Sequence, residues 1–179
     1  MKTQILNLLA TVTLTFSFAT TAHADSHNLS SNPVASLLGF SNVEYSYKLV
    51  DHLTIGITGS SGKMKLNDIE LTRSTYGAVA RFYFQPAFQN SSWYLVAAGN
   101  KLNSEGTILS NGITYKGKLD EIVASGGAGY HWFWTSFNMN LAGLLSNQST
   151  MELKDTAGNK YKDDANGTLN FEFNIGWKF

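Results

Sequence analysis

From Phe40 to the final residue, apolar and polar side chains trade places every second position over much of the chain. The sharpest case is LNFEFNIGWKF. There Leu169, Phe171, Phe173, Ile175, Trp177 and Phe179 alternate with Asn170, Glu172, Asn174, Gly176 and Lys178. A period of two assigns the sets to opposite faces of a β-strand. The same period separates Val43, Tyr45, Tyr47 and Leu49 from Asn42, Glu44, Ser46 and Lys48. It sets Tyr76, Ala78, Ala80, Phe82 and Phe84 against Gly77, Val79, Arg81, Tyr83 and Gln85. Further on, Ile122, Ala124, Gly126, Ala128, Tyr130 and Trp132 oppose Glu121, Val123, Ser125, Gly127, Gly129 and His131. Phe137, Met139, Leu141, Gly143 and Leu145 form one more apolar row. LTIGITGSSGKM begins apolar and turns polar, and SSWYLVAAGNKL reads as a strand whose faces do not separate.

The breaks between these strands alternate in length. Those at 50–52, 86–91 and 133–135 are short; those at 65–72, 104–114 and 148–166 are longer and polar. Short turns at one end and long loops at the other are the mark of a transmembrane β-barrel. Seven strands are clear. An even number is expected of a barrel with both termini at one end, which places the eighth within 28–39, a stretch that reads as a strand or a short helix. The expected fold is all-β: an eight-stranded antiparallel transmembrane barrel with short periplasmic turns and longer polar extracellular loops.

The alternation alone does not say which face meets lipid. Two features do. The polar face is rich in Gly, Ser, Asn, Thr and Ala and poor in charge, unlike the outside of a soluble barrel. The tryptophans also gather where strands meet the short turns: Trp93, Trp132, Trp134 and Trp177, with Phe179, Phe82, Phe84, Phe137 and Tyr47 at the same level. This is the expected aromatic girdle at the periplasmic interface.

Composition narrows the setting. Residues 1–24 have a basic start at Lys2, an apolar run and a small-x-small AHA site, which is the pattern of a signal peptide; residues 25–179 are then the barrel domain. Lys and Arg number 13 against 13 Asp and Glu, so no basic field invites nucleic acid. Without cysteine there is neither a disulfide nor a thiolate metal site.

The stretch NPVASLLGFSNVEYSYKLVDHLTIGITG resembles the opening of a broad group of uncharacterised outer-membrane β-barrel proteins, and residues 32–179 resemble the small barrels of the OmpA, OmpX and OmpW type. That resemblance implies an outer-membrane location, outer-membrane lipid as surroundings and a monomeric barrel. The alternating strand 169–179 with its terminal Phe resembles the signature by which such barrels are recognised for insertion, implying the barrel assembly machinery as a partner. The resemblance carries no catalytic residue across.

Candidate chemistry lies inside. Eight strands enclose a lumen just wide enough for side chains to fill. Glu44, Lys48, Arg81, Glu121, Glu172 and Lys178 all fall on the inward face. Buried charges require partners, so the expectation is a salt-bridged structural network rather than a polar path. Arg81 is expected to pair with Glu44, Glu172 or both. His131 is the one candidate base for a lipid A-modifying enzyme, but Ser125 on the same face is roughly 20 Å away along the strand, beyond proton-transfer reach. The scattered histidines and the acidic KYKDDANG stretch at 160–167 match no metal motif, and no cofactor is expected. The function expected is non-enzymatic: structural or surface-interactive, with a narrow channel or carrier as the alternative.

Overall fold

In the computed structural model the described residues are 26–110, 112–148, 151–161 and 168–179. The expected signal segment 1–24 lies outside them.

Among the described residues ten strands and one short helix follow in chain order: β1 (His27–Ser31), α1 (Pro33–Leu37), β2 (Phe40–Val50), β3 (Leu53–Leu66), β4 (Ile69–Tyr83), β5 (Ser92–Ser110), β6 (Ile113–Phe133), β7 (Phe137–Ser146), β8 (Leu153–Lys154), β9 (Lys160–Tyr161) and β10 (Thr168–Lys178). Strands β1 to β7 pair antiparallel in sequence, β7 pairs with β10, and β10 returns to β1. Eight strands therefore close on themselves, which removes every edge from the wall. The two-stranded ladder β8–β9 hangs from β6 through the Lys116–Lys154 pair.

The ambiguous stretch 28–39 is both things at once. His27–Ser31 forms β1, completing the barrel between β10 and β2. Pro33 then starts α1, with the Asn32 side chain accepting from the Ala35 amide at 2.9 Å as N-cap. Gly39, at φ +91°, turns the chain into β2 in a left-handed conformation that suits glycine.

The stretches 65–72 and 104–114, expected as loops, are mostly strand. β3 continues to Leu66 and β4 begins at Ile69, with Asn67 in the left-handed region at φ 49°. β5 and β6 pair as far as Ser110 and Ile113. A hairpin satisfies its backbone across the ladder whatever its side chains are, so polar residues do not end it.

The wall is polar inside and apolar outside. Phe171, Ile122 and Leu145 are 74%, 75% and 69% exposed, whereas Asn138, Asn140 and Arg81 are 0%, 1% and 3%. A water-soluble barrel has the reverse arrangement. Aromatic rings circle the turn end. Trp93 meets Tyr130 at 5.2 Å, and Tyr130 meets Trp132 at 4.8 Å. Trp134 lies against Phe137, Phe82 against Phe84, and Phe179 stacks on His27 at 5.7 Å.

Candidate functional site: the barrel lumen

Inward positions of neighbouring strands share a ladder row: Arg81 is opposite Thr54 on one side and Val96 on the other. From that row the Arg81 guanidinium reaches two carboxylates. It donates to both oxygens of Glu44, Nη2 at 2.9 Å, and Nη2 also donates to Glu172 at 2.7 Å. Ser46 Oγ donates to Glu44 at 2.8 Å and Asn174 Nδ2 to Glu172 at 2.8 Å. The Tyr94 ring lies under the guanidinium, 5.6 Å from Cζ to the centroid. Each charge thus has opposite charge or hydrogen bonds around it, the condition for keeping ions out of water.

Towards the turn end a neutral chain crosses the lumen. Tyr83 Oη donates to His131 Nδ1 at 2.9 Å, His131 Nε2 donates to Asn138 Oδ1 at 2.9 Å, and Asn138 Nδ2 donates to Asn28 Oδ1 at 2.7 Å. This order fixes one tautomer of His131, because Asn138 can only accept with its oxygen. The rings of Tyr83, Tyr94, His131 and Phe133 pack together, and Phe88 packs on Phe133 at 5.7 Å. Ala87 and Phe88 are fully buried, although they belong to the connection between β4 and β5.

Of the six inward charges read from the sequence, the structure brings three together: Arg81, Glu44 and Glu172. Lys178 is buried separately, its Nζ donating to the Phe88 carbonyl at 2.5 Å. Lys48 is half-buried opposite Thr54. Glu121 is half-buried near the hairpin end; Gly127, in the Arg81 row, is six residues away on β6, roughly 20 Å at ~3.3 Å per residue. Trp93 and Trp134 are exposed on the outside of the turn end, while Trp132, Trp177 and Phe179 are half-buried there.

Sequence reading missed the aromatic layer and the part of Phe88 in it. One signal was present: eight residues, 84–91, separate β4 from β5, where two separate β2 from β3. His131 is at a strand end as the pattern indicates, but with both ring nitrogens bonded and 2% exposure it meets no solvent. Among the described residues no three His, Asp or Glu side chains come together as metal ligands.

Comparison with solved structures finds the N-terminal β-barrel domain of Pseudomonas aeruginosa OprF. The match covers 87% of this chain and 98% of that domain, with a TM-score of 0.53 and 12% identity. The fold is that of a small outer-membrane β-barrel. No family model matches the sequence, and no curated protein does. At this identity the likeness is one of architecture: closed wall and strand number are shared with an outer-membrane barrel of the OmpA-like kind.

Proposed function

We propose that this chain is a closed, non-enzymatic outer-membrane barrel whose role is structural or surface-interactive: it stabilises the envelope and presents its hairpins outside. The turn end faces the periplasm and the strand 169–179 is read by the barrel assembly machinery. The observation that carries the reading is the filled lumen. The Arg81–Glu44–Glu172 cluster, the Tyr83–His131–Asn138–Asn28 chain and the buried Phe88 occupy successive levels of it. A small barrel filled in this way leaves no water column for solutes.

Purified protein in a planar bilayer tests this. The expected result is no sustained conductance in moderate salt. Steady unitary currents in every preparation would replace this reading with the channel. That second reading is favoured by inward polar atoms without a protein partner, among them Ser30 Oγ, Thr75 Oγ1 and Asn140 Oδ1. A lipid A-modifying enzyme is disfavoured by His131 being enclosed; unaltered lipid A mass spectra from expressing cells are the expected result.

A further inference from the structure

We propose that residues 86–91 form a plug that folds into the barrel mouth, is latched there by Lys178, and can leave without opening the wall. The inference goes beyond the reading above, since a structural barrel needs a closed wall but not a detachable stopper.

The first support is the length of the connection. The β4–β5 ladder already closes with Tyr83 opposite Tyr94, followed by Phe84 N donating to Trp93 O at 3.1 Å. A tight turn could join the strands there, as Asp51–His52 joins β2 to β3. Instead the chain continues inward, and Ala87 and Phe88 become fully buried.

The second support is what holds the segment. The Ala87 amide donates to the Asp51 carbonyl at 2.6 Å, so the plug is tied across the mouth to the neighbouring turn. Lys178 Nζ, from the other side of the barrel, donates to the Phe88 carbonyl at 2.5 Å. The Phe88 ring packs edge-on against Phe133. None of these bonds belongs to the wall ladders.

The third support is backbone strain. Phe88 has φ +65°, a left-handed conformation that a bulky residue adopts only when its surroundings enforce it. Leaving the lumen would relieve that strain. The segment is therefore held by side-chain packing, the Lys178 ammonium, the Ala87 amide and two bonds at its ends, Phe133 N to Ser91 Oγ at 2.9 Å and Gln85 N to Ser92 Oγ at 2.9 Å, against an opposing backbone preference. The wall on either side is held by continuous ladders. Local opening should begin at the plug.

The chain has no cysteine, so a single introduced thiol reports lumen access cleanly. Ser46 is suited to it: inward, 2% exposed, and in the ladder row of Asn28 and Lys178, next to the latch. Ser46→Cys in the otherwise unaltered barrel should react slowly with a small water-soluble thiosulfonate. Adding Phe88→Gly with Lys178→Met should raise the labelling rate at least tenfold, while the barrel keeps its strand circular dichroism and heat-modifiable migration. Adding Leu95→Ala on the outer face should not change the rate. Fast labelling with the plug intact would overturn the proposal, as would an unchanged rate after plug release in a folded barrel. Should the double variant not fold, hydrogen exchange on the unmodified protein decides: amides of 87–91 are expected to exchange at least tenfold before those of 79–83 and 94–98. Equal protection would refute a detachable plug. Conductance is not the readout, because the Arg81 layer lies beyond the plug.

Discussion

Replacing Arg81 by Met should cost more than any other single substitution in the lumen. The guanidinium is 3% exposed and bonded to two carboxylates whose side chains are 11% and 18% exposed. Methionine fills much of the volume but leaves Glu44 and Glu172 as two buried like charges with only Ser46 and Asn174 to hold them. Removing one partner of a buried ion pair costs about 3–5 kcal/mol, mostly as the penalty on the charge left behind. With a urea slope of about 2 kcal/mol per molar, the unfolding midpoint in lipid vesicles should fall by roughly 1.5–2.5 M. The cause can be separated from lost packing. The triple variant Arg81→Met, Glu44→Gln, Glu172→Gln has no charge in the layer, and it should recover most of the loss, since uncharged replacements of buried ion clusters are often nearly neutral. Outward Ala80→Leu should stay within about 0.5 kcal/mol of wild type. A single variant that loses less than about 1 kcal/mol, or a triple variant no better than the single, would show that the layer is wetted and that its charges do not need one another.

Four further outcomes are expected. His131→Phe removes the link between the Tyr83 hydroxyl and the Asn138 oxygen, and should destabilise by about 1–3 kcal/mol in the same urea assay; no loss would mean that this chain is water-bridged in solution. Phe179→Asp should lower barrel assembly in cells far more than refolding into detergent, by breaking the rim stack on His27 and the proposed recognition of strand 169–179; equal heat-modifiable yields from cells would count against it. Cleavage between Ala24 and Asp25 is expected from the AHA site, and N-terminal sequencing of membrane-fraction protein that begins at Met1 would refute it. In the β8–β9 connection the Asn159 side-chain amide, with the Asn159 and Ala157 backbone amides, holds the Asp155 carboxyl below the usual carboxylate range. Its contribution is then present above about pH 4 and lost as pH falls through the lower folded value, so protection of the Ala157 and Asn159 amides should decline only in strong acid. Protection that falls already between pH 7 and 5 would contradict that sign.

The wall was legible because period two is a geometric property of strands and survives any environment. Phe171 and Asn170 had to face opposite ways, and the tryptophans at the turn end said which way was lipid. The loops were misread because polarity was taken for irregular structure. Thr107, Ile108, Ile113, Thr114 and Tyr115 are strand-favouring side chains, and Asn111-Gly112 is a hairpin-turn pair, so the signal for a long β5–β6 hairpin was in the sequence. In the lumen, charge gave Arg81, Glu44 and Glu172 their inward direction. It could not give the Tyr83–His131–Asn138–Asn28 chain, whose members lie on four strands and meet only once the register is set.

The register also shows where the barrel leaves the apolar layer. Facing does not change along β5 and β6, but the chemistry of each face does. At the turn end the outward residues are Trp93, Leu95 and Ala97, with Trp132, Tyr130 and Ala128 on the partner strand. Beyond the row that joins Lys101 to Ile122 they become Asn103, Glu105 and Thr107, opposite Asp120, Lys118 and Lys116. Ion pairs appear on the outside at that point: Lys101 with Asp120, Lys118 with Glu105 at 2.6 Å, and Lys63 with Glu70 at 2.5 Å. The inward face changes in the opposite sense. Leu102 is fully buried, and side chains of Met151 and Leu153 lie over Gly106 and Gly117. Above that row the outer face of the β5–β6 hairpin therefore carries the charged pairs expected in water, while below it the outer face is apolar, as expected in lipid. On β6 the lipid rule runs from Trp132 to Ile122. Eleven residues at ~3.3 Å, tilted by about 40°, rise roughly 28 Å, close to the apolar band of about 25 Å that such barrels present. One uninterrupted hairpin thus crosses two solvents, and only its side chains record the boundary.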